Sequence, residues 1–133
     1  MNKIISFDLV SPDKLIFSDK VVMIIIPGKE GDIGVLSGHS KLLSSLRPGR
    51  IMIYGEGKIL LKSFFVSAGF VEINPEKCIV LAEEVQEMSS LQKDKIEKLI
   101  QSLENETSEE SKQQYLIAKS QFEALSASYY EKI

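Results

Sequence analysis

Val21-Val22-Met23-Ile24-Ile25-Ile26, followed at once by Pro27-Gly28, is the stretch on which the fold of this chain turns. It is continuously apolar and, Met23 apart, β-branched, which suits a strand covered on both faces. Pro-Gly is a strong turn signal and ends it. On the N-terminal side, Ile5, Phe7 and Leu9 alternate with Ser6 and Asp8, a half-buried strand that stops at Ser11-Pro12-Asp13. Ile16-Phe17 reads as a short second strand before a Ser18-Asp19-Lys20 turn. On the C-terminal side, residues 51–54, 59–66 and 70–73 are rich in Ile, Val, Phe and Tyr. Pro48-Gly49, Gly55-Glu56-Gly57 and Asn74-Pro75-Glu76-Lys77 cut them at the spacing of a sandwich or barrel.

Past Glu83 glycine and proline vanish and the period changes from two to between three and four. Ser89 with Gln92 fits a capping box, and Ile96, Leu99, Ile100 and Leu103 then share one helical face. Glu104-Asn105-Glu106 is a polar break. Thr107-Ser108-Glu109-Glu110 fits a second box, followed by Tyr115, Ala118, Phe122, Leu125 and Tyr129. Two amphipathic helices joined by a short polar loop make an antiparallel hairpin. The expected architecture is mainly β plus α, with a sandwich over residues 1–86 and a helical hairpin over 87–133. Each helical stripe is narrow, so mutual burial at about 25 cal/mol per Å² roughly matches the entropy cost of ordering the pair. Such a hairpin must dock on the sandwich or on a partner.

Composition limits the function. A chain of 133 residues with 44% apolar content is globular, and a formal charge of −3 disfavours nucleic acid, whose phosphates need a basic surface. Both arginines, Arg47 and Arg50, lie in the first half. The single cysteine, Cys78, alternates with apolar neighbours and reads as a small buried hydrophobe. The start of the chain does not read as a signal peptide, because Asp8 interrupts the apolar run too early. No run approaches the ~20 apolar residues that span a bilayer. A cytosolic chain is expected, with any membrane association made through a partner and no direct insertion.

Chemistry is sparse. The only histidine, His39, has serine neighbours, but adjacent residues rarely take triad geometry, and no ligand cluster accompanies it for a metal. Glu83 and Glu84 diverge to opposite faces of a strand. The glycines at 28, 31 and 34 match neither a P-loop nor a dinucleotide fingerprint, and read as permitting turns with positive φ. No catalytic residue, metal site or cofactor is expected, and function should lie in surfaces.

The stretch Pro27-Gly28-Lys29-Glu30-Gly31-Asp32-Ile33-Gly34-Val35-Leu36-Ser37-Gly38-His39-Ser40 closely resembles the signature of the ATP synthase epsilon subunit family. Leu9-Val10-Ser11-Pro12, Phe17-Ser18, Leu46-Arg47-Pro48-Gly49, Val66-Ser67-Ala68-Gly69-Phe70-Val71-Glu72-Ile73 and Val80-Leu81-Ala82-Glu83 agree with it in order and spacing. Lys41 stands where the family has proline. The resemblance covers about residues 4 to 84, and the helical half matches in form more than in residues. It implies a ten-stranded β-sandwich at the foot of the central stalk of a rotary ATP synthase, bound to the gamma subunit and to the ring of c subunits. It places Glu30, Asp32, Ile33 and His39 against the c ring; read without it, Glu30 and Asp32 belong to a solvated turn.

The resemblance also implies a hairpin that folds on the sandwich or extends along gamma to the catalytic α/β subunits, where it blocks ATP hydrolysis. Lys112, Lys119 and Lys132 stand among Glu109, Glu110, Glu123 and Glu131, so attraction to an acidic loop there should be weak. Some relatives bind ATP at the hairpin through an [I/L]-D-x-x-R-A motif. The stretch aligned to it, Ser108-Glu109-Glu110-Ser111-Lys112-Gln113, is degenerate, so Glu109 and Lys112 are the residual nucleotide-binding candidates and sensing is expected to be lost or poor. The location implied is peripheral, on the cytoplasmic face of the plasma (inner) membrane. Two other readings stay open: a free-standing sandwich adaptor whose hairpin takes an unrelated helical partner, and a small-molecule hydrolase using His39 and a serine.

Overall fold

The computed structural model describes residues 3–126. Its strands are β1 (Ile5–Val10), β2 (Leu15–Val21), β3 (Met23–Gly28), β4 (Gly31–Leu36), β5 (Leu42–Ser45), β6 (Gly49–Tyr54), β7 (Leu60–Ile73) and β8 (Lys77–Glu87). Helices α1 (Lys93–Leu103) and α2 (Glu109–Ser126) follow. The strands pair in the order β2-β1-β8-β7-β6-β3-β4, with β5 on β7. One sheet therefore closes over itself into two layers.

The closure is made by β7 and β8. The first part of β7 pairs with β6, from Leu60 to Val66, and its last part pairs with β5, from Phe70 to Ile73. β8 accompanies it from Phe64 to Ile73, across both parts. Phe64 and Val66 point into the core before Ala68, whereas Val71 and Ile73 do so after it, so the inward phase slips by one residue. β8 changes phase with it, from Cys78, Val80 and Ala82 to Val85. Ala68 and Gly69 make the crossing with φ of 47° and 135°. The structure therefore has eight continuous strands, not ten separate ones. Because β7 and β8 each serve both layers, a count by layer gives ten segments.

Between the layers lie Phe7, Leu9, Ile24, Ile26, Ile51, Ile53, Val66, Val71 and Val80, all shut off from solvent. Each contributes about 1.5–3 kcal/mol by burial. Cys78 belongs to this core, and burial pushes its thiol up to about 12 from an ordinary 9.0. The folded chain thus holds this proton more tightly than the unfolded one. The resulting stability is full below pH 9.0 and is lost as pH rises toward 12. Native protein at pH 8 is expected to resist a thiol-alkylating reagent that labels Cys78 fully once the chain is unfolded. Rapid labelling of the native chain would show that the two layers part easily.

Several local expectations change. Residues 21–26 are not one strand. Val21 ends β2, and Val22, whose amide donates to the Tyr54 carbonyl at 2.9 Å, carries the chain from one layer to the other. Met23 then begins β3, which is covered on both faces: Ile24 and Ile26 enter the main core, and Ile25 joins Met52 and Tyr54 in a second cluster. Ser18-Asp19-Lys20 is no turn but the part of β2 that pairs with β1. β3 runs through Pro27 and Gly28 and reverses at Lys29-Glu30.

The Ser89–Gln92 capping box does not form, because Ser89 sits in a 3-10 turn and α1 begins only at Lys93 with no side-chain cap. The second cap lies one residue later than Thr107: the Ser111 amide donates to Ser108 Oγ at 3.1 Å. Tyr129, Glu131 and Lys132 lie outside the described residues.

The hairpin is folded against the sandwich. α1 and α2 pack on each other, and α2 lies against β6 and β7. Ile96 and Ala118 are buried, and Ile100, Leu103, Tyr115, Phe122 and Leu125 are half-buried. Leu99 is turned largely to solvent, because Ile96, Ile100 and Leu103 set the contact line and Leu99 falls on its flank. Ala124, absent from the expected set, is buried as well. Gln121 Nε2 donates to Gln86 Oε1 of β8 at 2.8 Å. Arg50 and Gln86 point away from the main core, so α2 covers the outer face of the layer that holds β6.

Candidate functional site

The two outer faces of the sandwich differ. One carries α2. The other, built by β2, β1, β8, β7 and β5, carries no helix among the described residues and displays a row of apolar side chains. Cross-strand pairing sets Phe70 opposite Leu81, Leu81 beside Val10, and Val10 beside Leu15. Their neighbours Val71, Val80 and Leu9 enter the core, so alternation turns this row outward. Phe70, Leu81 and Leu15 are 55%, 53% and 57% exposed, and Leu43, diagonal to Phe70, is 70% exposed. Single exposed leucines need no explanation, but a contiguous row across four strands marks a surface built to be covered. The polar row beside it, Ser18, Asp8 and Lys77, is internally paired: Ser18 Oγ donates to Asp8 at 2.6 Å and Lys77 lies 3.5 Å from the same carboxylate.

A second surface is the β3–β4 turn. Gly28 pairs with Gly31 across it, and a Cβ at Gly28 would meet the Gly31 carbonyl and Ile33 Cδ1, both at 2.8 Å, so glycine permits this close turn. Glu30 sits exposed at the apex and makes no ion pair among the described residues. Asp32 instead faces Arg47, with Nη2 to Oδ1 at 2.5 Å. Ile33 packs against the core. His39 lies past the far end of β4, where its amide donates to the Leu36 carbonyl at 3.1 Å and Nδ1 lies 2.6 Å from the Ser40 carbonyl. The structure therefore presents Glu30 at the apex, turns Asp32 to Arg47 and Ile33 to the core side of β4, and sets His39 apart. The six residues of β4 between Glu30 and His39 span about 17 Å at a rise of about 3.3 Å per residue.

Lys112 and Glu109 occupy the exposed first turn of α2, 3.8 Å apart. The cleft beside Lys112 is lined by Glu104 and Glu106, whose carboxylates would repel a phosphate. Among the described residues, no group of three or more His, Cys, Asp or Glu could hold a metal ion, and no helix is long and apolar enough to cross a membrane. The apolar row and the Arg47–Asp32 pair escaped reading from sequence. Phe70 reads as a strand residue whose outward sense cannot be told from inward, and Leu15 falls outside the expected strand Ile16-Phe17, although β2 begins with it. Arg47 and Asp32 are 15 positions apart and meet because residues 45–47 bond along the end of β3, with which β4 pairs on the other side.

Comparison with known proteins identifies the family. The family described as "ATP synthase, Delta/Epsilon chain, beta-sandwich domain" matches residues 4–88. An ATP synthase epsilon chain of Rhodospirillum rubrum is 40% identical over 125 residues, which cover 91% of this chain and 92% of that one. One from Paramagnetospirillum magneticum is 50% identical over 80 residues, 60% of this chain and 59% of the other. Among solved structures, a chain of the Euglena gracilis mitochondrial ATP synthase OSCP/F1/c-ring assembly superposes with a TM-score of 0.80 at 26% identity, covering 92% of this chain and 79% of that one. On the residues matched, the shared β-sandwich and the extent of identity, the chain belongs to the family of ATP synthase epsilon chains, a non-catalytic subunit of that enzyme.

Proposed function

We propose that this chain is a central-stalk subunit that couples the gamma subunit to the ring of c subunits and modulates ATP hydrolysis through its hairpin. The observation that carries the reading is the bare apolar row Leu15, Val10, Leu81 and Phe70, on the face opposite the hairpin. A flat apolar sheet face suits a long helical shaft, and gamma is the partner assigned to it. The β3–β4 turn, with the Glu30 carboxylate free at its apex, is assigned to the polar surface of the c ring. Charge there sets register more than affinity. The likeness to a chain of the Euglena assembly, in which F1 and c ring are joined, supports partners of this kind. The chain is then held peripherally at the cytoplasmic face of the inner membrane by its complex.

The two modules divide the work, residues 1–86 gripping the stalk and residues 87–133 regulating. The hairpin's seat is shallow: Ile96, Ala118 and Ala124 are its only buried hydrophobic positions among the described residues, and Leu116 is 57% exposed. A module so lightly held can exchange one surface for another. Reconstitution with gamma and the catalytic α/β subunits tests this. Removing residues after Glu87 is expected to raise ATPase activity, toward the low end of ordinary coupling, about 5-fold, because α2 is poor in free cations. An unchanged rate would remove the regulatory part of the reading.

A further inference from the structure

We propose that Arg47 is the positioning residue for the β3–β4 turn, and that Asp32 serves Arg47 instead of meeting the partner that Glu30 meets. The two acceptors of Arg47 stand on opposite arms of the turn. Nη1 donates to the Gly28 carbonyl, at the end of β3, at 2.6 Å. Nη2 donates to Asp32 Oδ1, the second residue of β4, at 2.5 Å. A planar guanidinium can straddle both arms with one rigid fork, which the point charge of a lysine cannot do.

The backbone around Arg47 is laid along the same turn. The Arg47 amide donates to the Pro27 carbonyl at 3.0 Å, and the Lys29 amide donates to the Ser45 carbonyl at 2.9 Å. Leu46 bridges to Gly28. Gly49 lies so close to Pro27 that a Cβ there would stand 2.7 Å from the proline ring. Residues 45–49 thus form a clasp, with the Arg47 side chain as its pin. The Asp32 side chain, 27% exposed, is drawn toward the clasp. Glu30 is left as the acid the apex can present.

The same pair faces a second way. Asp32 and Arg47 line a cleft with Arg50 on one side and Leu116, Glu123 and Ala124 of α2 on the other. The clasp therefore lies between the turn and the seat of the hairpin, and whatever lifts α2 uncovers the residue that holds the turn.

The partner side of this proposal rests on the reading that the turn faces the c ring, whereas the brace itself is a property of the free chain. The test uses the full-length chain as wild type, Arg47→Gln, Asp32→Asn, the double variant, and Glu30→Gln. Amide exchange is followed at Lys29 and Arg47 in the free chain, and binding to detergent-solubilised c ring in parallel. Either brace variant is expected to speed exchange at these two amides about tenfold, as loss of a charge-assisted hydrogen bond implies. The double variant should do little more than Arg47→Gln alone, because that substitution already removes the Arg47–Asp32 link that Asp32→Asn weakens, together with the bond to the Gly28 carbonyl. Glu30→Gln should leave exchange unchanged and weaken ring binding. Additive effects of Asp32→Asn and Arg47→Gln on ring binding would show that Asp32 touches the ring itself and would overturn the proposal. So would unchanged exchange in Arg47→Gln, or a rise spread evenly over the whole sandwich. If the wild-type chain does not bind the ring, the ring assignment falls, and the exchange data still decide the brace.

Discussion

Replacing Phe70 and Leu81 together with aspartate is expected to free this chain from the gamma subunit while leaving its fold intact. The two side chains are cross-strand partners on β7 and β8, both more than half exposed, and neither belongs to the core. Each replacement costs folding the strand preference of an exposed position, about 1 kcal/mol at most. The two carboxylates set opposite each other add up to about 1 kcal/mol of repulsion, and the whole stays well inside the stability of an ordinary domain, about 5–15 kcal/mol. At an interface the sign is reversed. A Phe and a Leu taken out of water contribute about 1.5–3 kcal/mol each, and a carboxylate in their place must be desolvated without a partner. The combined loss should exceed about 3 kcal/mol, a drop in affinity of at least ~100-fold. Titration of gamma with wild-type and doubly substituted chain would show it, with the melting temperature of the free chain as control. Equal affinities would mean that the apolar row is not the gripping face.

The largest effect on stability is expected at Gly69. Its φ of 135° belongs to a region that side-chain-bearing residues scarcely enter, and a Cβ there would stand 2.0 Å from the Leu81 carbonyl oxygen and 2.9 Å from Ala82 Cα. Both obstacles are backbone, so no rotamer change relieves them. Relief requires β7 and β8 to separate at the point where they pass from one layer to the other, with Val66 and Val71 of the core on either side. Gly69→Ala is therefore expected to cost about 4 kcal/mol or more, a large share of the 5–15 kcal/mol that holds an ordinary domain together. At about 4–8 °C per kcal/mol the melting temperature should fall by roughly 20 °C. Ala68→Gly is the control. Ala68 already holds a positive φ of 47°, so glycine there should be neutral or slightly stabilising. A Gly69→Ala chain that melts with the wild type would show that the crossing is not built as described.

These positions show where reading from sequence stops. The alternation of Ile5, Phe7 and Leu9, the Asx turn in which Asn74 Oδ1 accepts from the Glu76 and Lys77 amides, and the two helices all appear as local patterns, because each rests on contacts a few residues apart. The change of period expected past Glu83 comes later, because pairing with β7 keeps β8 a strand to Glu87. The 14-residue strand β7 is no such local pattern. Ser67-Ala68-Gly69 has poor strand propensity and interrupts the alternation, so it reads as a loop between two strands; pairing with β8 holds it extended against that preference. Residues 21–26 fail for the opposite reason. Their apolar pattern is unbroken, and the change of layer at Val22 depends on partners in β1 and β6 that no local pattern names.

The candidate site divides along the same line. The turn around Glu30 announces itself through its glycines, whereas the demand on Asp32 comes from Arg47, and the distance between Glu30 and His39 comes from β4 standing between them. The apolar row is the least visible of all. Phe70 and Val71 are equally good strand residues, and only the closure of the sheet decides that Val71 faces in and Phe70 faces out.

Central to all of this is the covering of the outer face that bears Phe70 once the enzyme is assembled. Hydroxyl-radical footprinting of the free chain and of the chain within the purified ATP synthase measures this directly. Oxidation of Leu15, Phe70 and Leu81 should be strong in the free chain and nearly abolished in the complex. Side chains on this row that oxidise equally in both would contradict the account.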